Sequence, residues 1–480
     1  MNVRSVVKKL IPRSLFQEIA PFGHLCEAVL YNVINGFPGR GLKVVGVTGT
    51  NGKTTTTFLV HRMLVEAGYK TGLMSTVAYG VDNDIRQQVE HMTTVDAKTL
   101  MKRLKWMKAQ GVEWLVLETT SHALAQNRVW GVPYSVAVMT NITHEHLDYH
   151  GTFERYVAAK QKMFKLAQKN CKGLQMGIAN ADDPNGASFA AETQHKMLYG
   201  IEAGDVRATN VKLSADGVKY TAVVEQRAES REQSSSGNGS DVSASHPEQG
   251  KGSPSETYDI TCRLPGSFNV YNSLAAVCVG RAVGLSKQQI EQGIAALEGV
   301  EGRMTTINEG QAFSVIIDYA HTPDSFEKLF KDLRPVVKGK LIVLFGSAGR
   351  RDEAKRAVQG RLAGQYADEV VVTEEDDRDM DGQEILDQIA AGAEEAGKVR
   401  DTNLFLVHDR PEAIAFAFSR ASSADDTVLL LGKGHEKDIL RNGPRAAELR
   451  HLQQDDHNPD RVVEFPWDEE AEARKALRAR

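Results

Sequence analysis

One segment near the start of the chain combines glycines, a lysine and threonines in an order that suits phosphate chemistry. Residues 46–55 read Gly-Val-Thr-Gly-Thr-Asn-Gly-Lys-Thr-Thr. Glycines allow backbone N–H groups to close around phosphate oxygens, and the N-terminus of a following helix adds a favourable dipole. In such a loop Lys53 neutralises the outer phosphates and the Thr54 hydroxyl faces Mg²⁺. The segment predicts an ATP-binding loop made of Gly49, Thr50, Asn51, Gly52, Lys53, Thr54 and Thr55.

The alternative interpretation of this segment is a glycine-rich turn that binds nothing. The lysine and the hydroxyl stand in the register that a phosphate loop needs, which argues against that alternative. A strand is predicted over residues 42–48 and a helix from about Lys53, which is the strand–loop–helix context of nucleotide-binding loops. Val47 stands where the generic spacing has its first glycine, so the loop belongs to a particular subfamily.

Three histidines, His144, His146 and His150, follow another predicted strand and have the spacing HxHxxxH. This spacing is loose and no fourth ligand is apparent, so a zinc site is not expected. Histidines beside a strand end are often only local hydrogen-bonding groups. Lys160, further along the chain, would by its residue type alone be an ordinary lysine on a helix surface.

The elements that must position these residues alternate between strands and helices. Short apolar runs predict strands at 42–48, 114–118 and 135–139, and a second alternation begins at about residue 303. Strands separated by helices are typical of a mostly parallel sheet with helices on both faces, so the predicted fold class is α/β. The second set of strands is predicted at 313–318, 340–345, 369–373, 404–407 and 427–431.

The same patterns divide the chain into three parts. Residues 1–41 are predicted to form a short helical segment, residues 42–302 a central ATP-binding domain, and residues 303–480 a C-terminal domain. Residues 228–257 are rich in Ser, Gly, Glu and Gln, and they cannot bury enough apolar surface to order themselves. We interpret them as a disordered insert within the central domain, because the strand pattern of that domain resumes after them.

Composition excludes several classes of function. The net charge of -5 argues against a general nucleic-acid binder, whose phosphate contacts need a basic surplus. The 4 cysteines form no CxxC pair, which excludes a zinc ribbon or a dithiol redox motif and fits a reducing cytoplasm. No apolar run approaches the roughly 20 residues that a membrane-spanning helix needs.

The first residues of the chain allow two interpretations. Basic side chains at Arg4, Lys8, Lys9 and Arg13 precede the first acid, Glu18, and apolar residues recur among them at helical spacing. Residues 1–19 would then make a weak peripheral contact with an anionic membrane. The other interpretation, which we prefer, is a helix docked on the body of the protein.

Further segments match one enzyme family in residue type and order. They include Glu-Thr-Thr-Ser-His-Ala-Leu from Glu118, Thr-Asn-Ile-Thr-His-Glu-His-Leu-Asp-Tyr-His-Gly from Thr140, and Tyr-Val-Ala-Ala-Lys ending at Lys160. Together with the phosphate loop, the set resembles the Mur ligases over about residues 40–480, and within that family the tripeptide synthetases. The remaining matching segments are 180–184, 266–272, 318–324 and 432–436.

The resemblance implies a central ATPase domain and a Rossmann-like C-terminal domain. It implies an ATP-dependent amide ligase that activates a carboxylate as an acyl phosphate and uses ATP and two Mg²⁺ ions. The expected donor is a UDP-N-acetylmuramoyl-dipeptide. The expected acceptor is a diamino acid such as meso-diaminopimelate or lysine, and the setting is peptidoglycan precursor synthesis in the cytoplasm. We further expect a monomer.

For the reacting groups, the resemblance implies a Mg²⁺ site shared by Thr54 and Glu118. It implies a second Mg²⁺ held by His146 and by a carbamate formed on Lys160. A carbamate converts a cation into an anionic oxygen ligand. The neighbouring Lys162 is interpreted as a solvated lysine.

Substrate contacts are also implied by the resemblance. The ATP site is expected to continue across the cleft between the domains through Asn272, Arg303 and Asp318. The muramoyl-peptide donor is expected to contact Thr93, Thr94, Thr120, Gln126 and Arg128.

The acceptor amino acid is expected in the C-terminal domain. Arg351 and Arg378 follow predicted strands, whose C-terminal ends face the ligand crevice in open α/β sheets. Arginine suits a carboxylate, and the acidic residues around Arg378 suit a second amine, so a diamino acid satisfies both. We expect meso-diaminopimelate to satisfy them better than lysine. By resemblance, the acceptor contacts are Arg351, Glu375, Asp376, Asp377, Arg378, Gly432 and Glu436.

Two departures from the family pattern keep alternatives open. Only about 40 residues precede the phosphate loop, so the UDP-binding N-terminal domain is expected to be missing and a donor without UDP stays open. The acceptor motif Asp-Asn-Pro-Arg reads Glu-Asp-Asp-Arg at residues 375–378. The alternatives are a ligase of the folylpolyglutamate or cyanophycin type, and a P-loop NTPase that switches or binds a partner without ligation.

Overall fold

The computed structural model describes residues 13–88, 92–143, 145–214, 217–225, 256–350, 352–378, 380–441 and 463–480. The strands are β1 (Lys43–Thr48), β2 (Thr71–Met74), β3 (Ala78–Val81), β4 (Asp84–Gln87), β5 (Trp114–Glu118), β6 (Tyr134–Met139), β7 (Met176–Asn180), β8 (His195–Gly200), β9 (Val206–Ser214), β10 (Gly217–Val224), β11 (Thr257–Cys262), β12 (Thr305–Ile307), β13 (Ser314–Asp318), β14 (Leu341–Phe345), β15 (Glu369–Val372), β16 (Leu404–Leu406), β17 (Thr427–Leu431), β18 (Asp438–Arg441) and β19 (Val463–Pro466). The helices are α1 (Arg13–Ile34), α2 (Lys53–Glu66), α3 (Ala97–Ala109), α4 (Ser121–Ala125), α5 (Leu147–His150), α6 (Phe153–Lys169), α7 (Gly186–Ala190), α8 (Phe268–Val283), α9 (Lys287–Ala295), α10 (Pro323–Leu333), α11 (Ala354–Tyr366), α12 (Gly382–Glu395), α13 (Arg410–Arg420) and α14 (Glu469–Arg478).

The first sheet has, among the described residues, the strand order β11-β10-β9-β8-β7-β6-β1-β5-β2-β3-β4. Its centre is parallel, from β2 through β5, β1, β6, β7 and β8 to β9. Both edges are antiparallel, with β3 and β4 at one side and β10 and β11 at the other. Central parallel strands are buried on both faces, and accordingly Val44, Val45 and Val47 of β1 are fully buried.

Strand pairing brings the predicted site residues to one edge of this sheet. Val47 of β1 lies opposite Glu118 of β5, and Thr48 lies opposite Met139 of β6. Because these strands are parallel, the loop after β1, the end of β5 and Thr140 after β6 lie together at the C-terminal edge, where open α/β sheets bind ligands.

Helices cover both faces of the first sheet. On one face α2, α8 and α9 pack through side chains such as Leu59, Leu274 and Ile290. On the other face α3, α4 and α6 pack through side chains such as Leu104 and Phe164. A strand packed on both faces gives the following loop a fixed starting point.

The second sheet has the order β12-β13-β17-β14-β15-β16 among the described residues. Its strands are parallel except for the pair β12 and β13. Helices α10 and α12 pack on one face and α13 and α14 on the other. The ends of β13 and β17 place Asp318 and Gly432 at one edge, beside the acidic residues that follow β15. The α/β fold class and the Rossmann-like second unit are therefore confirmed.

Strand positions agree with the sequence-based expectations to within two residues, and 114–118 and 427–431 are observed at the same bounds. Most of the predicted insert lies outside the described residues. The strands that flank it, β10 and β11, pair with each other in one sheet. The domain limits at residues 42, 302 and 303 stay predictions.

Helix α1 is docked on the first unit. Ala28 and Asn32 are buried, and Asn32 Nδ2 donates a hydrogen bond of 2.8 Å to the carbonyl oxygen of Trp130. Within the described ranges no helix is both long enough and apolar enough to cross a membrane. Residues 1–12 lie outside the described residues.

Candidate active site

The phosphate loop depends on glycine at two positions. Gly49 has φ of 150° and Gly52 has φ of 81°, both in the region that side chains disfavour. A Cβ on Gly49 would overlap the Thr140 hydroxyl, and a Cβ on Gly52 would overlap the amide oxygen of Asn272. The loop therefore lies so close to its neighbours that glycine is required, which brings Asn272 to the predicted ATP site.

The loop is held by the segment that follows β6. The Thr50 N–H donates to the Asn141 carbonyl at 2.7 Å, and the Asn51 N–H donates to Asn141 Oδ1 at 2.9 Å. The Thr140 hydroxyl donates to the Asn51 carbonyl at 2.6 Å. These bonds fix the loop before any ligand binds, so that it is preorganised for phosphate. Lys53 Nζ lies 2.7 Å from the Thr50 carbonyl oxygen, and Thr55 is buried in the first turn of α2.

The donor set at Thr54 and Glu118 fits a hard cation. Thr54 Oγ1 lies 3.2 and 3.0 Å from the two carboxylate oxygens of Glu118, which is 1% exposed. The Thr76 N–H also donates to Glu118 at 2.9 Å, and this bond orients the carboxylate. A hydroxyl and a carboxylate are oxygen ligands of the kind that Mg²⁺ prefers.

Lys160 is buried, whereas a lysine on a helix surface would be exposed. It is 2% exposed, and Nζ donates to the carbonyl oxygen of Gly49 in the phosphate loop. Burial and the nearby Lys53 ammonium hold the pKa of Lys160 well below its ordinary value, although Glu145 and Glu118 oppose this shift. The neutral amine that carbamate formation requires is thus favoured.

The prediction that Lys162 is solvated is wrong. Its Nζ donates to the Leu124 carbonyl at 2.9 Å and to the Asn127 side-chain oxygen, and burial lowers its pKa. The two lysines lie on the same helix, α6, and they face different neighbours because they are two positions apart in a helical turn. Lys162 ties α6 to α4 and takes no part in the phosphate loop.

His146 lies in a group of rings beside the loop. Its φ is 56°, its side chain is 43% exposed, and Nε2 lies 3.6 Å from Glu145 Oε2. Its ring centroid is 4.7 Å from that of His122. His150 is buried and its Nε2 lies 3.0 Å from Ser121 Oγ, as expected for a local hydrogen-bonding histidine. His144 lies outside the described residues.

The residues predicted for the donor gather near the end of β5. The Thr94 hydroxyl donates to the Glu118 carbonyl at 3.0 Å and accepts from the Thr120 N–H at 3.0 Å. Arg128 donates to the Thr94 carbonyl, and Thr93 Oγ1 accepts from the Thr76 hydroxyl at 3.1 Å. Gln126, which follows α4, instead donates a hydrogen bond of 3.1 Å from its side-chain amide to the Tyr149 hydroxyl.

Arg303 reaches from the start of the second unit to the phosphate loop. Its Nη2 lies 3.5 Å from Thr54 Oγ1, and its Nε is buried without a hydrogen-bond partner in the described part of the chain. Asp318 accepts from the backbone N–H groups of Met304 and Ala320, both at 2.8 Å, while burial raises its pKa. An unpaired buried guanidinium nitrogen is costly, which supports a ligand at this position.

The acidic motif after β15 meets the segment after β17. Lys433 is 0% exposed, and its Nζ lies 3.0 Å from Asp376 Oδ1 and 2.7 Å from Glu436 Oε2. Burial alone would lower the pKa of Lys433, but the two carboxylates raise it. Glu375 is 7% exposed and lies against Gly432. Four predicted acceptor residues are thus neighbours, namely Glu375, Asp376, Gly432 and Glu436.

Arg378 lies at the edge of this group. It has φ of 56°, and its guanidinium is 4.0 Å from Asp376 Oδ2. Asp377 is turned toward His408, with 3.0 Å between Oδ2 and Nε2. Arg351 lies outside the described residues.

Two family models match the chain. The Mur ligase middle domain matches residues 47–280, and the Mur ligase glutamate ligase domain matches residues 302–434. The chain belongs to the Mur ligase family. It is accordingly an ATP-dependent ligase of peptidoglycan precursor synthesis.

Named Mur ligases match most of its length. The UDP-N-acetylmuramyl-tripeptide synthetase of Roseiflexus sp. is 39% identical over 95% of this chain and 82% of its own. The UDP-N-acetylmuramoyl-L-alanyl-D-glutamate–2,6-diaminopimelate ligase of Geobacillus kaustophilus is 36% identical over 85% of this chain and 77% of its own. A solved structure of an enzyme of the latter name has a TM-score of 0.60 at 26% identity, covering 96% of this chain and 83% of that one.

Two carboxylates and a histidine near the acceptor region lie close enough together to be considered as a metal site. Single ligand atoms of Glu374, Asp377 and His408 lie within 4.8 Å of one another. However, Arg441 Nε donates to Glu374 at 2.8 Å, and the Arg410 N–H donates to it at 3.4 Å. Because Glu374 already faces cationic and N–H donors, we interpret this group as an ion-pair network of the Mur ligase C-terminal unit.

Sequence analysis assigned no role to four residues that this Mur ligase places among the predicted site residues, namely Asp324, Glu145, Tyr319 and Lys433. Asn51 Nδ2 donates to Asp324 Oδ2 at 2.8 Å, which joins the phosphate loop to α10 of the second unit. Glu145 contributes to the electrostatics of Lys160. The other two are Tyr319 and Lys433. All four residues lie inside the segments that resemble the Mur ligases, namely 140–151, 318–324 and 432–436, and that resemblance was the signal that could have found them.

Proposed function

We propose that this Mur ligase joins a diamino acid to the free carboxylate of a UDP-N-acetylmuramoyl-dipeptide. The names of its relatives support the donor, and the composition of the acceptor region supports the diamino acid. The observation that carries the proposal is the convergence of the phosphate loop, Glu118 and buried Lys160 at one sheet edge. Arg303 reaches this edge from the unit that holds the acidic motif.

The chemistry has two steps. A donor carboxylate oxygen attacks the γ-phosphorus of ATP, which forms an acyl phosphate and releases ADP. The amine of the amino acid then attacks the acyl carbon, phosphate leaves with the C–O bonding pair, and the amine loses a proton. Catalysis of such transfers rests on positioning and on neutralising charge.

The residues of the phosphate loop serve the first step. We propose that Lys53 contacts the transferred phosphoryl group and that the loop from Gly49 to Thr55 binds the β- and γ-phosphates. Asn272, Arg303 and Asp318 complete the ATP site. Thr54 and Glu118 would hold one Mg²⁺, and His146 with a carbamate on Lys160 would hold a second. Bound Mg²⁺ would neutralise phosphate charge.

Substrate selection is assigned to the remaining groups. Thr93, Thr94, Thr120, Gln126 and Arg128 would hold the donor near the end of β5. In the acceptor pocket, Arg378 would receive a distal carboxylate and the acidic residues a distal amine. A molecule that carries both groups beyond its reacting end fits best, and meso-diaminopimelate is such a molecule. We further propose a cytoplasmic monomer.

The test crosses candidate donors with candidate amino acids and measures ADP release together with the peptide product. We expect stoichiometric ADP and product only when both a UDP-muramoyl-dipeptide and a diamino acid are present. ADP release that never depends on the amine would refute ligation and favour a nucleotide switch. Product formation with a folate or a cyanophycin primer, and none with the muramoyl donor, would refute the donor assignment.

A further inference from the structure

The Glu436 carboxylate is held by two donors from separate segments. Lys433 Nζ lies 2.7 Å from Oε2, and the Tyr319 hydroxyl donates to Oε1 at 3.1 Å. Lys433 follows β17, whereas Tyr319 follows β13. Each oxygen of the carboxylate therefore has its own partner, and the orientation of the group is defined.

Tyr319 also contacts the ATP side of the cleft. The guanidinium carbon of Arg303 lies 4.6 Å from the centroid of the Tyr319 ring. Arg303 in turn lies 3.5 Å from Thr54 Oγ1. The hydroxyl of Tyr319 thus serves the acceptor side, and the face of its ring supports the arginine that we assign to ATP.

Lys433 connects Glu436 to the acidic motif. Its Nζ lies 3.0 Å from Asp376 Oδ1, and the same oxygen accepts the Leu440 N–H at 2.9 Å. Lys433 is 0% exposed, so its charge needs both carboxylates in place. A buried charged network of this kind is stable in few arrangements, because each unpaired member carries a large desolvation cost.

We propose that Tyr319 and Lys433 are positioning residues that hold Glu436 in the orientation in which it receives the acceptor amino acid. Tyr319 has a second task through its ring, which keeps Arg303 over the phosphate loop. The inference rests on the proposed function, because it assumes that Glu436 contacts the acceptor. Neither residue is assigned a contact with substrate.

Two substitutions at Tyr319 separate its two tasks. Tyr319→Phe removes the hydroxyl and keeps the ring under Arg303. We expect KM for the diamino acid to rise about tenfold, as for one hydrogen bond to a charged group, with KM for ATP changed by less than about twofold. Tyr319→Leu removes the ring as well, so both KM values should rise.

A matched control is available in the first unit. The buried Tyr258 donates its hydroxyl to Glu256 Oε1 at 2.5 Å, which is also a tyrosine–carboxylate bond, and it lies on the outer strand β11. Tyr258→Phe should leave both KM values unchanged. Lys433→Met should raise KM for the diamino acid more than Tyr319→Phe does. If it fails to fold, thermal unfolding will reveal this and the tyrosine variants carry the test.

The possible outcomes distinguish a failure of this inference from a failure of the proposed function. If wild type ligates a diamino acid and Tyr319→Phe leaves its KM unchanged, the positioning role is wrong and the proposed function stands. Equal rises in both KM values for Tyr319→Phe, with a lowered Tm, would also overturn the positioning role, since they indicate general loosening. If wild type ligates no amino acid to any donor, the proposed function and this inference both fail.

Discussion

Replacing Lys160 by alanine should abolish most of the ligase activity, and replacing Lys162 by alanine should not. Lys160 is 2% exposed, and its amine donates a hydrogen bond to the carbonyl oxygen of Gly49 in the phosphate loop. Its pKa is held well below the ordinary value by burial and by Lys53, which favours the neutral amine more than in an exposed lysine. A neutral amine adds CO₂ and becomes the anionic ligand that we assign to the second Mg²⁺.

The size of the effect follows from the position of this group. Removing one preorganised group that stabilises the charge developing in the transition state raises the activation free energy by about 3 to 4 kcal/mol, and 4 kcal/mol corresponds to about a thousandfold in rate. We therefore expect Lys160→Ala to lower kcat about a thousandfold. Lys162 contacts Leu124 and Asn127, remote from the loop, so Lys162→Ala should lower kcat by less than about tenfold.

The assay is ADP release at saturating ATP, donor and amino acid, with Tm measured for each variant. Lys160→Ala leaves the space of the lysine side chain, so added acetate should restore part of the rate by supplying a carboxylate. Lys160→Met fills that space and should not be rescued. Activity should also fall as the pH falls through the lowered pKa, because the protonated amine cannot hold CO₂.

Two results would refute this reasoning. One is a Lys160→Ala enzyme with activity within about tenfold of wild type, which is too small a loss for a metal ligand. The other is electron density for an unmodified Lys160 in active enzyme crystallised with ATP and Mg²⁺.

Three further predictions concern other residues. Lys53→Ala should abolish ligation with Tm near that of wild type, because its ammonium faces the loop and not the core; near-normal turnover would contradict the phosphate assignment. Arg378→Ala should raise KM for meso-diaminopimelate at least about tenfold and that for lysine by less than about threefold; an unchanged ranking would show that Arg378 does not bind a distal carboxylate. His61 is buried, and burial lowers its pKa to about 4. As the pH falls, the His61 imidazole is protonated in the unfolded chain before it is protonated in the folded chain. The free energy of unfolding should therefore fall below pH 6.5, by about 2 kcal/mol at pH 5. In urea titrations, His61→Leu should flatten this dependence on pH, and an unchanged slope would contradict a neutral buried imidazole.

Sequence alone determined the parts of this protein whose causes are local. Strands β1, β5 and β6 of the first sheet were predictable because each is a short apolar run, and β5 and β17 were placed at their observed bounds. The phosphate loop was predictable because glycines, a lysine and a threonine must stand in one order after a strand. The edge strands β3 and β4 were not predicted, because each has only 4 residues and neither is a continuous run of large apolar side chains.

Only the tertiary structure decided which of two neighbouring lysines enters the site. Lys160 and Lys162 are alike in type and lie on one helix, and the sequence interpretation of Lys162 as solvated was wrong. Packing of α6 against β6 turns Lys160 toward Gly49 and Lys162 toward α4. Tyr319 contacts both Arg303 and Glu436, and Glu436 is more than a hundred positions away from either of them in the sequence. No local pattern contains such contacts, because they form only when strands and helices that are distant in the sequence pack side by side, as β13 and β17 do in the second sheet.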